Sequence, residues 1–295
     1  MSDNYSNSLE TLGQTLSNIQ TRLTTLEDVP QNGHVQTIHI ETANQPTIEI
    51  DGPVHEAFHE IVTYVRNNEN VCMVGPSGSG KTTIAHQIAK AVSQTYFSTS
   101  ALLTKEELMG YKDVTGTYVT STLRRAADEG GVFNFEELDD SAPEAIIPFH
   151  VILDREPGRP VDFPDGMVEM HPDFRVLAAA NTYGKGADRM YVGRTQLDAA
   201  TIERFAMVYV DYDEKLEDAL VSNKDWLKTV RSYRYAVESL GIRHVISPRA
   251  SIKGSKMLAA GLTITQCEDA LVWKGLESGQ VEKIKNYAMA QIMGG

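Results

Sequence analysis

Gly75, Pro76, Ser77, Gly78, Ser79, Gly80, Lys81 and Thr82 follow the spacing G-x-x-x-x-G-K-[ST]. This pattern handles phosphate chains. The glycines let successive backbone N–H groups turn inward as an anion nest, Lys81 reaches the outer phosphates, and the Thr82 hydroxyl can ligate Mg²⁺. Thr83, next in the chain, completes the candidate binding set. The apolar run Val71–Val74 precedes the loop and a helical pattern opens at Lys81, flanks that an ordinary Gly/Ser-rich turn lacks.

A phosphate loop of this kind needs acids at the end of a neighbouring strand. The run Val132–Phe135 ends in Glu136 and Glu137. Glu136 is the candidate for holding water on the metal, and Glu137 for polarising the attacking water. The first of these acids is usually Asp, so Glu136 is one methylene too long, and Asn134 is out of place in an apolar strand. The bland alternative is a surface acidic cluster continuing through Asp139 and Asp140. The run Arg175–Ala180 ends in Asn181, whose amide can orient a water but is also an ordinary turn residue. The segment Leu197–Phe205 delivers Arg204, either a surface ion pair or a charge offered to a neighbouring subunit's γ-phosphate.

The elements that must position these groups alternate. Apolar strands at Val71–Val74, Tyr96–Ser98, Val132–Phe135, Arg175–Ala180 and Ala206–Val210 are separated by helical patterns from Lys81, Ser121, Pro143 and near Leu197. Continuously apolar strands separated by helices imply an α/β fold, a parallel sheet covered on both faces. Residues 53–212 form this expected core, with an opening helix over Val54–Arg66, and 213–295, purely helical in period, form a lid. Residues 31–52 read as a strand pair, Thr37–Thr42 and Thr47–Asp51, by their alternation of apolar and polar side chains. Within 1–30, Leu9, Leu12, Leu16, Ile19, Leu23 and Leu26 repeat at 3, 4, 3, 4, 3, the seam of a short coiled-coil helix.

Composition excludes several classes. Forty acidic residues against 27 basic ones set a net charge of −13, which opposes binding to nucleic acid or anionic membrane. No apolar run is long enough to span a bilayer, and the first residues carry neither a basic leader nor an apolar stretch, so a cytoplasmic location is expected. Cys72 and Cys267 are too few for a disulfide framework or a cysteine zinc site and read as buried small hydrophobes. His55-Glu56-Ala57-Phe58-His59 spells H-E-x-x-H, yet no third ligand follows, and the segment leads into the strand of the phosphate loop. Trp226 and Trp273 sit in helical patterns and read as core.

In the order of its parts the chain resembles the AAA+ ATPases, P-loop NTPases with a helical lid. More narrowly it resembles the MoxR/CobS/CbbQ-like, dynein-related branch. The strings that carry this are Gly75–Thr82, Ala179-Ala180-Asn181-Thr182, Tyr191-Val192-Gly193-Arg194 with Leu197-Asp198, and Ser247-Pro248-Arg249-Ala250, over about residues 37–265. The resemblance implies ATP and Mg²⁺ as cofactors and a homo-oligomeric, usually hexameric, ring with nucleotide between subunits. It implies that Asn181 senses the nucleotide, Arg204 acts in trans, and Arg249, expected in the first turn of a helix capped by Ser247, reaches back from the lid. It places a pore segment at Gly110–Tyr118, with Tyr118 and secondarily Tyr111 touching a protein substrate, an insertion near Asp154–Pro172, and His55 near the adenine. The expected function is ATP-driven remodelling or activation of a protein partner. A nucleic-acid translocase and a nucleotide-dependent assembly scaffold are the rivals, the first disfavoured by charge.

Overall fold

The computed structural model describes residues 37–42, 45–154, 160–187 and 189–294. The expected heptad helix at 1–30 lies outside them.

The central sheet contains five parallel strands. In chain order they are β3 (Val71–Val74), β4 (Tyr96–Thr99), β7 (Val132–Phe135), β10 (Arg175–Ala180) and β11 (Ala206–Tyr209), and in space they run β11-β3-β10-β7-β4. Successive side chains leave opposite faces of a strand, and the core divides accordingly. Val71, Met73, Leu177 and Ala179 face one cluster with helices α1 (Phe58–Arg66) and α2 (Lys81–Ala91). Cys72, Val74, Phe133, Phe135, Ala178 and Ala180 face a second, built with α3 (Lys105–Met109), α4 (Thr122–Glu129), α5 (Pro143–Ile146) and α6 (Phe149–Leu153). Each fully buried side chain of this size contributes ~1.5–3 kcal/mol, so both faces of β3 and β10 hold the loops at their C-terminal ends.

The α/β fold expected from the apolar strands is present. Four local expectations are corrected. The first core helix starts at Phe58, not Val54, because Gly52, Pro53 and the His55 turn precede it. The helix from Pro143 divides at Pro148, which has no N–H to donate to the preceding turn. Ser247 stands at the N-cap of a lid helix but its hydroxyl makes no capping bond. The second strand of the N-terminal pair starts earlier, since β1 (Thr37–Thr42) pairs antiparallel with β2 (Gln45–Asp51).

Two small antiparallel hairpins lie outside the central sheet. β5 (Tyr111–Lys112) pairs with β6 (Tyr118–Val119), and β8 (Val161–Phe163) pairs with β9 (Gly166–Val168), the latter inside the expected insertion. A short helix α7 (Ala199–Glu203) precedes β11.

After β11 the described chain is helical: α8 (Glu214–Leu220), α9 (Lys224–Ser239), α10 (Pro248–Ala259), α11 (Ile264–Leu271) and α12 (Ser278–Gly294). Trp226, Val230, Tyr233, Trp273 and Ile284 form their core, as expected of both tryptophans. Glu217 on α8 is the ionic hub of this region. It is 1% exposed, accepts from Arg231 at 3.0 Å and from Arg234 at 2.7 Å, both on α9, and accepts the Ser251 hydroxyl of α10.

Candidate active site

The phosphate loop sits between the C-terminal end of β3 and the first turn of α2. A side chain at Gly75 would place its Cβ 1.9 Å from the Val210 carbonyl oxygen, so only glycine lets the loop leave the sheet there. Gly78 has φ +85°, and a Cβ on it would meet Ser247 of the lid at 2.5 Å. The lid therefore rests directly on the loop. Lys81 donates to the carbonyls of Gly75 at 2.6 Å and Pro76 at 3.0 Å, and to Asn181 Oδ1 at 3.1 Å. Burial lowers the Lys81 ammonium to about 8, partly offset by the charge of Asp139. Ser77 is gripped by two tyrosines: its N–H donates to the Tyr191 hydroxyl at 2.8 Å, and its carbonyl accepts from the Tyr212 hydroxyl at 3.0 Å.

The acids stand beside the loop. Thr82 Oγ1 donates to Glu136 Oε2 at 3.2 Å, so the extra methylene of Glu136 still brings its carboxylate to the expected metal position. Tyr96 donates to Glu136 Oε1 at 3.2 Å, its own hydroxyl pushed up to about 12 mainly by burial. Glu137 follows with φ 54° and ψ 43°, a left-handed conformation that L side chains seldom adopt. That twist ends the strand and turns its carboxylate toward Arg194, 3.5 Å away.

The loop from Ser77 onward and its two acids line one cleft of about 450 Å³. Ser77 to Thr83, Glu136, Glu137 and Asn181 form one wall, and Leu216, Glu217, Leu220, Pro248, Arg249 and Ile252 of the lid form the other. His55 lines it too. The His55 ring accepts the Ala57 N–H on Nδ1 at 3.1 Å and meets the Asp211 carbonyl through Nε2 at 2.9 Å, so both nitrogens are engaged. His59 belongs to α1 and His55 does not, which leaves H-E-x-x-H without its common helical face.

Residues 70–205 match the family model described as AAA domain (dynein-related subfamily). This stretch of the chain, from β3 to the end of α7, is thus similar to an AAA domain. An uncharacterized protein of Staphylococcus saprophyticus is 25% identical over 165 residues, which are 52% of this chain and 60% of that one, so the chain spans less than two thirds of that relative. One of Staphylococcus aureus (strain USA300) is 23% identical over 207 residues, covering 61% of this chain and 76% of its own. Among solved structures, a Thermotoga maritima RuvB mutant is similar at 16% identity and TM-score 0.42, covering 78% of this chain and 66% of that one. NtrX from Brucella abortus is similar at 19% identity and TM-score 0.43, covering 80% and 50%.

The matched region holds one buried acid whose role the motifs do not reveal. Asp139, grouped above with a possible surface cluster, is fully buried at 0% exposure. Its Oδ2 accepts from the N–H groups of Asn181 at 3.1 Å and Thr182 at 2.8 Å and from the Thr182 hydroxyl at 2.8 Å, so it fixes the tip of β10. Arg194 lies 3.6 Å from Asp139 and 3.2 Å from Asp140 as well as near Glu137, tying three acids to one guanidinium. Nothing in Asp139-Asp140 as letters tells which aspartate turns inward.

Arg249, on the first turn of α10, lines the cleft and is exposed. Arg204 does not line it. Its Nε and Nη2 each lie 2.7 Å from an oxygen of Asp154, and Nη1 donates to the Ala200 carbonyl at 2.6 Å. The surface ion pair considered above is thus what Arg204 makes within its own chain. Tyr118 also departs from expectation. It pairs with Lys112 across the hairpin, and its hydroxyl is spent on the Met109 carbonyl at 2.7 Å. Tyr111, 48% exposed, and Val114, fully exposed at the hairpin tip, are the outward groups.

Among the described residues no helix is long and apolar enough to cross a membrane, and no group of three His, Cys, Asp or Glu is arranged to hold a metal. Cys72 and Cys267 are both buried and unpaired, as expected of small hydrophobes.

Proposed function

We propose that the chain is an ATPase that works as a MoxR-like ring, usually six subunits, in which ATP hydrolysis remodels or activates a protein partner. The observation that carries the ring reading is the position of Arg204: it lies outside the cleft of its own chain and is held by one exposed carboxylate, Asp154. A guanidinium so placed is available to the nucleotide of an adjacent subunit.

ATP fits the cleft, with glycines where a Cβ would collide and an ammonium beside them. Mg²⁺ fits the donor set, because the Thr82 hydroxyl and the Glu136 carboxylate are hard oxygens 3.2 Å apart at the first turn of α2. When bound, Mg²⁺ supplies charge neutralisation to the outer phosphates. The remaining roles belong to the chain. The loop amides and Lys81 bind the phosphates, and Glu137 orients and polarises the attacking water. Asn181, whose amide oxygen already meets Lys81, would orient the attacking water through a hydrogen bond. Arg249 closes the lid over the phosphates, since its helix starts against Gly78.

The partner is expected to meet the hairpin of β5 and β6. Its turn is rigid, because Asp113 Oδ1 accepts from the N–H groups of Thr115 at 2.8 Å and Thr117 at 2.9 Å. It therefore presents Tyr111 and Val114 as fixed exposed side chains. The test of the whole reading is Glu137→Gln with ATP. The expected result is retained nucleotide binding, turnover slower by roughly 10²–10⁴, the usual share of a general base, and a closed oligomer by native mass spectrometry. A monomer that binds ATP under these conditions rejects the ring, and normal turnover rejects Glu137 as the base.

A further inference from the structure

Asn134 and Tyr96 are left unexplained by the roles given so far. Asn134 is 0% exposed in the middle of β7, and a buried amide is costly unless hydrogen-bonded. Its Nδ2 donates to the Tyr96 hydroxyl at 3.0 Å and reaches Glu136 Oε1 at 3.5 Å, while its Oδ1 has no partner among the described residues. Here the donor end goes to groups that converge on a single carboxylate oxygen. Tyr96, at the start of β4, donates to that same Oε1 at 3.2 Å, and its ring stacks on His86, with centroids 3.7 Å apart. His86 lies one turn beyond Thr82 on α2. Glu136 is thus held at both ends, Oε1 by Tyr96 and Asn134, Oε2 by Thr82.

We propose that Tyr96 and Asn134 are positioning residues that adapt this site to Glu where Asp is usual, fixing Oε1 so that Oε2 stays beside Thr82 for Mg²⁺. A longer side chain has one more rotatable bond, and two donors on one oxygen remove that freedom. The two oddities of the sequence, Asn134 and Glu136, then become one device with Tyr96. The proposal rests on Glu136 and Thr82 being the metal-binding pair.

The experiment measures ATP affinity of the full chain by calorimetry with Mg²⁺ and with EDTA. Tyr96→Phe should leave the affinity in EDTA unchanged and weaken it about tenfold in Mg²⁺, the worth of one hydrogen bond to a charged group. The Mg²⁺ concentration for half-maximal turnover should rise in parallel. Asn134→Leu, similar in volume and without the orphaned oxygen, should lose the same Mg²⁺ advantage while melting no lower than the parent. In a Glu136→Asp background, Tyr96→Phe should have no further effect, because the shorter carboxylate no longer reaches the hydroxyl. Equal losses in Mg²⁺ and EDTA, or no loss in either, overturn the positioning role. Glu136→Gln separates the two readings. If it leaves the Mg²⁺ dependence intact, the metal assignment itself fails; if it abolishes that dependence while Tyr96→Phe does not change it, only the positioning role fails.

Discussion

The Tyr191 hydroxyl accepts the Ser77 N–H at 2.8 Å, so a donor of the phosphate loop is already occupied by a side chain from the segment after β10. A phosphate oxygen that takes this N–H must displace the phenol. The displaced segment also carries Arg194, whose guanidinium lies 5.9 Å from the Tyr191 ring centroid and 3.5 Å from Glu137. Loading the loop would thereby be linked to Glu137, the base proposed above.

Tyr191→Phe should free the Ser77 N–H and strengthen binding of a non-hydrolysable ATP analogue by about two- to tenfold, the net worth of one neutral hydrogen bond. Calorimetry at fixed Mg²⁺ measures it. Weaker binding would show instead that the phenol contacts the nucleotide directly.

Glu217 predicts how the helical region responds to acid. Burial raises the pKa of its carboxyl, but bonds from Arg234, Ser251 and Arg231 outweigh this and hold it below the ordinary 4.5. A carboxyl depressed in the folded state contributes stability that is present above about pH 4.5 and is lost as pH falls through its lower folded value. Unfolding midpoints followed from neutral pH to below 4 should fall for the parent, and Glu217→Gln should flatten this slope. At neutral pH the variant should be destabilised by about 3–5 kcal/mol, because two arginines lose their buried partner. An unchanged midpoint would mean that the pair is worth no more than an exposed one.

Tyr111→Ala should keep basal ATPase activity and lose stimulation by the partner, since its ring is exposed on a hairpin with a hydrogen-bonded turn. Tyr118→Phe should change little in recognition and lower the melting temperature slightly, its hydroxyl being bonded to Met109. The reverse ranking would restore Tyr118 as the gripping residue.

The difference between these tyrosines illustrates what was legible beforehand. The phosphate loop, the strand ends and Glu136, Glu137 and Asn181 could be read because each depends on local order: a strand, a glycine turn, a helix start. The grips on Ser77, the inward turn of Asp139 and the support of Glu136 could not. Each joins residues distant in sequence, Ser77 with Tyr191 and Tyr212, Asp139 with Thr182, Glu136 with Tyr96, and no periodicity encodes such a meeting. The helical pattern is enough to set Arg204 at the end of α7, while its bond to Asp154 spans 50 residues.

That bond supplies the decisive contrast for Arg204. If the guanidinium is only an exposed ion-pair partner, removing either member costs the same small amount, ~0–1 kcal/mol, and Asp154→Asn should behave like Arg204→Ala. If it serves an adjacent γ-phosphate, Asp154→Asn should retain most ATPase activity while Arg204→Ala loses roughly 10³–10⁵ of the rate. Mixing then assigns the subunit. Arg204→Ala and Lys81→Ala proteins are each expected to be inactive, but a mixed ring contains interfaces where an intact phosphate loop faces an intact Arg204. Partial recovery on mixing supports action in trans. No recovery, in rings shown by native mass spectrometry to contain both variants, would place Arg204 in the service of its own subunit, against its position beside Asp154 and outside the cleft.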